Sequence, residues 1–301
     1  MFGWRHDALT PLFRGLTALG DATFFLVVFT LGYWLLDRLV FLRVSVVLMI
    51  TALFNSLLKG VFQAPRPDIS LRLVDAPGWS FPSAHAMIAG AIWPWLAREG
   101  KRGWLWPPAV LIVLGIATSR VYLGVHYPHD VAVGVLIGAS MFLGLWWLAD
   151  PAPDVWTELR WLQKVALVVV PVTSLLWVLP SAGDGDESVA AAGGALIGIV
   201  LGADWERRHV RFLPPVGWRK LAVGLVGLTV IFALRASLKA LFGEIDLDPA
   251  FATALRYAAI TLFLAALGPW LFVRFGWCGT EARGEDDASL HLETDGPREL
   301  A

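Results

Sequence analysis

The chain has a single cysteine, Cys278, so no internal disulfide can staple it, and cysteine usage says nothing about redox compartment. Charge is scarce as well: 16% of residues are Asp, Glu, Lys or Arg, and 24 basic against 25 acidic side chains leave a formal net charge of -1. That near balance, without any basic tract, argues against nucleic acid or another strongly charged partner. The N-terminus has no short apolar core followed by a small-residue cleavage site, so the first apolar segment reads as an uncleaved anchor. No internal repeat links the two halves, which leaves an inverted-repeat transporter unsupported.

Apolar residues are what the chain has in abundance. They make up 57% of 301 residues, with a mean hydropathy of +0.64, and they recur in runs approaching the ~20 residues that cross a bilayer. Backbone polar groups in lipid must be satisfied within their own segment, so such runs are helical. The fold expected is an all-α integral membrane protein, a polytopic helical bundle of about nine spans. The spans are placed near 21–37, 43–59, 85–98, 104–119, 130–149, 163–180, 188–205, 218–236 and 252–274. Before them Asp7 to Leu19 is shorter, carries Arg14 among leucines, and reads as an interfacial helix. Residues 1–150 form one unit, 151–276 supply additional transmembrane helices, and 277–301 form a polar, acidic tail expected to be disordered.

Basic residues set the orientation. Arg38, Arg43, Arg98, Lys101, Arg102, Arg160, Lys164, Arg207, Arg208, Arg211, Arg219 and Lys220 fall on one side of these spans, which the positive-inside rule makes cytoplasmic. The opposite side carries acidic loops, Asp184 to Glu187 and Glu244 to Asp248. It also receives three polar clusters: KGVFQAPRP from Lys59 to Pro67, FPSAHA from Phe81 to Ala86, and SRVYLGVHYPHD from Ser119 to Asp130. The chain leaves this side at His85 and returns to it at Ser119, so the clusters can share one pocket, facing away from the cytoplasm of a plasma (inner) membrane.

Those residue types suit phosphoryl transfer, which needs positive charge around the equatorial oxygens, an in-line nucleophile and a proton for the leaving oxygen. Lys59, Arg66 and Arg120 can supply the charge, the arginines through forked hydrogen bonds. Ser83 and the amides of Ala84 and His85 open an apolar helical run, a helix N-terminus that attracts anions. His85 and His126 can divide nucleophile and acid between them, with Asp130 one helical turn from His126 to fix its tautomer. Taken singly each residue has a plainer reading: Lys59 as a snorkelling lysine, Ser83 as an N-cap, Arg66 as a loop arginine, Asp130 as a first-turn acid. His129, beside the pattern without a required part in it, reads as structural or interfacial, and Asn55 reads as a helix-to-helix hydrogen bond or a support for Lys59. The joint spacing on one side outweighs the separate readings.

Read as KxxxxxxRP, PSxH and SRxxxxxHxxxD, the clusters resemble the ordered triple signature of the type-2 phosphatidate phosphatase and haloperoxidase superfamily, in its membrane branch of lipid phosphate phosphatases. The resemblance covers the first half of the chain and implies a six-helix-type phosphatase core that hydrolyses a lipid phosphate or diphosphate without metal or other cofactor. It implies His126 as a nucleophile forming a phosphohistidine, Asp130 as its orienting partner, and His85 as the acid for the leaving alkoxide. Lys59, Arg66, Ser83, Ala84 and Arg120 would hold the phosphate oxygens. The departure is Ala84, where the family usually has glycine; an L-residue is comfortable in a helical first turn, though its methyl can tighten the pocket. The same clamp could hold vanadate in a haloperoxidase, although those relatives are generally soluble. A phosphotransferase would pass the phosphoryl group to a hydroxyl rather than water. A non-catalytic lipid binder would need a defective catalytic set, whereas this one is present.

The second half carries less. Gly194, Gly198 and Gly202 repeat every fourth residue, a ridge suited to packing against the core or against another subunit, so a homo-oligomer stays open. Glu206, Arg207, Arg208 and Arg211 are placed at the cytoplasmic boundary, where basic residues contact lipid head groups. Cys278 reads as a small apolar residue near a helix end.

Overall fold

The computed structural model describes residues 5–149, 163, 185–245 and 247–281. After a short turn, α1 (Thr10–Ala18) leads at a 49° bend into α2 (Ala22–Leu35). Then come α3 (Arg38–Phe62), α4 (Ala84–Glu99), α5 (Trp106–Tyr122) and α6 (Pro128–Ala149), followed by α7 (Gly185–His209), α8 (Arg219–Glu244) and α9 (Pro249–Leu262). A π-helical turn, Phe263–Leu267, joins α9 to α10 (Gly268–Arg274).

Among the described residues, six helices are long and apolar enough to cross a membrane, by length and composition, and the bent α1–α2 pair makes a seventh. With 16 residues, α4 is only about 24 Å long, short of a ~30 Å hydrocarbon core. The span expected over 163–180 lies outside the described residues apart from Gln163. The protein is an integral membrane protein built of helices.

Local chemistry sets the helix ends that matter. Asp37 caps α3 by accepting hydrogen bonds from the amides of Leu39 and Val40. At the other end Gln63 turns left-handed, φ 46°, its amide donating to the Lys59 carbonyl. That stop leaves Lys59 in the last turn of α3 and releases the chain into the long connection to Ser83. Two prolines without amide donors open α5, and Pro128 opens α6.

Glycines bring α4 and α6 together. A methyl group added to Gly134 would stand 2.9 Å from the Ser83 carbonyl, and one on Gly138 would run into the carbonyl of Met87. This close approach holds the start of α4 against the start of α6, and so Ser83 and His85 beside His126 and Asp130. Gly124, at φ +72°, makes the turn between α5 and α6 that a side chain could not make.

The extension packs in the same way. The ridge of Gly194, Gly198 and Gly202 faces Ala254, Ala258 and Ala265, so α7 and α9 run side by side in parallel within one chain. The π-helical turn frees carbonyls that would otherwise bond along the helix, because Pro269 brings no amide to close them. The buried Trp34 of α2 donates Nε1–H to the Leu264 carbonyl at 2.8 Å, and the Tyr33 hydroxyl donates to that of Ala265 at 3.4 Å.

At the end of the bundle remote from the polar clusters, Glu206 is buried rather than set against lipid head groups. Its Oε1 accepts from Arg38 Nη1 at 3.1 Å and from the Phe212 amide at 2.8 Å, joining the start of α3 to the extension. Removing Arg38 would leave the buried Glu206 carboxylate without its cation, which costs about 3–5 kcal/mol, whereas Arg38 without Glu206 would keep Glu281 and the Phe212 carbonyl. Part of the expected tail is ordered too: Gly279–Thr280 pairs antiparallel with Phe212–Leu213, and Glu281 meets Arg38 at 2.9 Å. Cys278 is buried beside this pairing, and burial raises its thiol pKa to about 11, which keeps it an unreactive thiol.

Candidate active site

All three polar clusters meet at one end of the bundle. Lys59, Arg66, Ala84, His85, Arg120 and His126 line a cavity of about 410 Å³, together with Asn55, Trp79 and Ser188. Ser83 and Asp130 stand behind this wall, both fully buried.

The connection between α3 and α4 is held in shape by arginines. Arg5 donates to the Leu71 carbonyl, Arg14 to that of Leu73, and Arg72 to those of Pro67 and Ala76. Arg66 donates to the carbonyls of Pro77, Gly78 and Val125, which aims its fork into the cavity. Asn55, read as a helix-to-helix bond or a support for Lys59, donates to the Pro82 carbonyl at 3.2 Å and ties α3 to the serine–histidine turn.

His126 is 2% exposed and sits in the turn between α5 and α6. Burial is the main cause that pushes its pKa down to about 3; the cations Arg66, Arg120 and Lys59 add to this and Asp130 opposes it. The imidazole is therefore neutral at physiological pH. Its Nε2 lies 3.0 Å from Arg66 Nη1, which can only donate, so Nε2 carries the lone pair and Nδ1 the proton. Nδ1 lies 3.5 Å from Asp130 Oδ2 and 3.3 Å from Ser80 Oγ. Asp130 is held in turn by the Ser80 hydroxyl at 2.5 Å and the Tyr127 amide at 2.8 Å. His129, read as structural or interfacial, reaches Asp130 Oδ1 at 3.1 Å from the exposed side.

His85 lies at the start of α4, with its Nε2 2.8 Å from Asp21 Oδ1 at the α1–α2 bend. Arg120 is 6% exposed; its Nη1 donates to Thr17 Oγ1 at 2.6 Å while Nε is buried without a partner among the described residues. Ser83 Oγ is likewise buried without a partner among the described residues. Ala84 is the first residue of α4 in ordinary helical backbone, so the exchange for glycine strains nothing in the main chain.

Ser80, Asp21 and Thr17 escaped the sequence reading. Each touches a residue that the spacing did reveal, but across the chain rather than along it. Asp21, one residue before an apolar run, reads locally as an N-cap, and Ser80 lies in a stretch with no periodicity.

The sequence profile described as the PAP2 superfamily matches residues 40–153, and that of the PAP2 superfamily phosphatase, transmembrane extension, matches 190–281. The chain is 31% identical to phosphatidylglycerophosphatase B of Bacillus subtilis over 156 residues, 46% of this chain and 74% of that protein. It is 25% identical to human sphingosine-1-phosphate phosphatase 2 over 260 residues, 74% of this chain and 63% of that protein. A crystal structure of a transmembrane PAP2 type phosphatidylglycerolphosphate phosphatase from Bacillus subtilis aligns at 27% identity and a TM-score of 0.45, covering 49% of this chain and 80% of that one. With both profiles in chain order and a relative 31% identical covered to 74% of its length, the chain belongs to the PAP2 superfamily, as a membrane phosphatase carrying that superfamily's transmembrane extension.

Proposed function

We propose that the protein is a lipid phosphatase that hydrolyses a lipid phosphate or diphosphate monoester through a phosphohistidine, on the membrane face away from the cytoplasm. The observation that carries this reading is the cavity itself. Three cationic side chains and two histidines converge on one space, with a carboxylate behind one histidine, at the ends of apolar helices. Named relatives act on phosphatidylglycerophosphate and on sphingosine-1-phosphate, and a site at the lipid boundary suits a phosphate whose apolar part stays in the bilayer.

The geometry supports one order of events. The substrate phosphate takes over hydrogen bonds from Arg66, which moves off His126 Nε2 and uncovers the lone pair. Nε2 attacks phosphorus as the bond to the leaving oxygen breaks, and Nδ1–H faces Asp130 so that the imidazolium formed is balanced. His85 gives a proton to the leaving alkoxide; Asp21 holds Nε2, which leaves Nδ1 for that oxygen. Water then attacks the phosphohistidine, His85 takes its proton, the P–N bond breaks and phosphate leaves. Lys59, Arg66 and Arg120, the amide of Ala84 and the unpartnered hydroxyl of Ser83 are placed to meet the equatorial oxygens. The three cations carry the charge that a metal would otherwise supply.

Orientation is supported by the helix ends remote from the cavity, where Arg38, Arg43, Arg98, Lys101, Arg207, Arg208 and Arg219 collect. Arg5, Arg14 and Arg72, at the cavity end, are engaged by loop carbonyls.

The direct test is inorganic phosphate release by the purified protein in EDTA across lipid mono- and diphosphates. Release undiminished by the chelator is expected; loss of activity restored by a divalent cation would overturn the metal-free route. Transfer to an added alcohol without release would make the protein a transferase. Within the same assay Ser80→Ala should lower kcat about tenfold and leave KM unchanged, because it loosens Asp130 and His126 without touching the phosphate clamp. A change in KM alone would remove Ser80 from this positioning role.

A further inference from the structure

Among the described residues three α-helices open on an aspartate, and one of the three does not cap its helix. Asp37 accepts from the amides of Leu39 and Val40, and Asp248 accepts from that of Phe251. Asp21, at the start of α2, has the extended backbone of a capping residue, φ -81° and ψ 147°, yet its side chain makes no cap hydrogen bond. Its carboxylate turns away from its own helix instead, and Oδ1 meets His85 Nε2 at 2.8 Å.

The residue before it shapes the same contact. A methyl group on Gly20 would stand 2.9 Å from Cδ2 of the His85 ring and 3.3 Å from Cγ2 of Ile116, so glycine lets the α1–α2 bend close on the ring edge beside Nε2. Earlier on the same bend, Thr17 accepts from Arg120 Nη1 at 2.6 Å. One bend therefore holds a histidine of the reaction and a cation of the phosphate clamp. Thr17, Gly20 and Asp21 all precede residue 40, where the match to the superfamily profile begins.

The reaction gives this contact a task. His85 can protonate a leaving oxygen from Nδ1 only while its ring carries both protons, and Lys59, Arg66 and Arg120 around the same cavity oppose a positive ring. A carboxylate on Nε2 favours the imidazolium directly and fixes which nitrogen faces the cavity. As the P–O bond breaks, its electron pair goes to the leaving oxygen, which takes the Nδ1 proton. The Nε2 proton stays on the ring, still donated to Asp21.

We infer that Asp21 is the positioning residue of the general acid, as Asp130 is of the nucleophile, and that the α1–α2 bend is a working part of the site. The contribution of Asp21 grows with the basicity of the leaving oxygen. It is large for an aliphatic alkoxide and small for a group that departs as a stable anion. This rests on the lipid-phosphatase reading and adds to it a residue from outside the matched core.

The test uses the purified full chain in detergent with dodecyl phosphate and para-nitrophenyl phosphate, which carry the same phosphate on a poor and a good leaving group. Phosphohistidine formation is read in a single turnover, before water enters, as 32P retained on the protein from labelled substrate. Asp21→Asn should slow this step about thirtyfold on dodecyl phosphate, part of the roughly 10² to 10⁴ that a general acid supplies, with the half-saturating concentration unchanged. Its loss on nitrophenyl phosphate should be smaller by about fivefold or more, because nitrophenolate leaves without a proton. Gly20→Ala, at a backbone that is not left-handed, keeps the carboxylate and displaces the ring, and should show the same dependence on the leaving group. Equal losses on the two substrates, no loss on either, or a change in half-saturation alone would overturn the role of Asp21 and leave the lipid phosphatase standing. A wild type that forms no phosphohistidine from dodecyl phosphate would overturn the lipid-phosphatase reading and this one with it. Should a thermal melt show Asp21→Asn unfolded, Gly20→Ala decides by the same comparison of the two substrates.

Discussion

Replacing His126 with alanine is expected to abolish phosphate release, by about four orders of magnitude or more, with the protein still folded. The size follows from what the ring does in both half-reactions. Without Nε2 there is no covalent intermediate, and water must attack the bound ester directly, unassisted by the Asp130 pair. Folding should survive because the neighbours of His126 have other partners. Arg66 keeps three backbone carbonyls and Asp130 keeps Ser80 and the Tyr127 amide. The vacated volume opens on the cavity and fills with water. The measurement is single-turnover phosphate release together with a thermal melt. A second readout is a 32P label that is stable to alkali and labile to acid, present in wild type and absent in His126→Ala. Wild-type turnover by the variant would overturn the assigned nucleophile. Turnover lost while the label persists would move the phosphoryl group to another residue.

The reach of sequence reading here follows the range of the interactions. Lys59, Arg66, Ser83, His85, Arg120, His126 and Asp130 could be found because each stands at a fixed distance from others along the chain. The helix ends that bear them are fixed by local chemistry: a left-handed Gln63, the proline-opened α5 and α6, and a turn at Gly124. Ser80, Asp21 and Thr17 leave no such trace, since each acquires its partner only when segments far apart in the chain meet. Glu206 shows the same limit in reverse. Beside Arg207 and Arg208 at a helix end it has the look of a surface charge, and only Arg38, arriving from the start of α3, makes it a buried one. The glycine ridge was legible as a packing surface but not its partner, because small residues specify close approach and leave open to whom. Geometry names α9 of the same chain.

Arg120→Lys is expected to lower kcat/KM by about 10² to 10³, the loss typical of one missing donor to a developing oxyanion. The substitution keeps the charge and removes the fork. In the protein as it stands, one guanidinium nitrogen is committed to Thr17 and another, Nε, is buried facing no acceptor among the described residues, so Arg120 holds its place and keeps donors in reserve. A lysine ammonium is a single point on a flexible stem, and reaching the phosphate would mean releasing Thr17. The loss should fall mainly on the transition state, where charge spreads over equatorial oxygens that two aligned donors can meet. Vanadate, which adopts that trigonal shape, should therefore lose affinity for the variant by nearly the same factor as kcat/KM falls, whereas product phosphate should lose less. Thr17→Val should be milder than Arg120→Lys, because the guanidinium keeps its charge and its burial and gives up only one anchor. Near-normal kinetics in Arg120→Lys would take Arg120 out of the clamp. An equal loss of phosphate and vanadate affinity would make it a ground-state binder, with transition-state stabilisation left to Arg66 and Lys59.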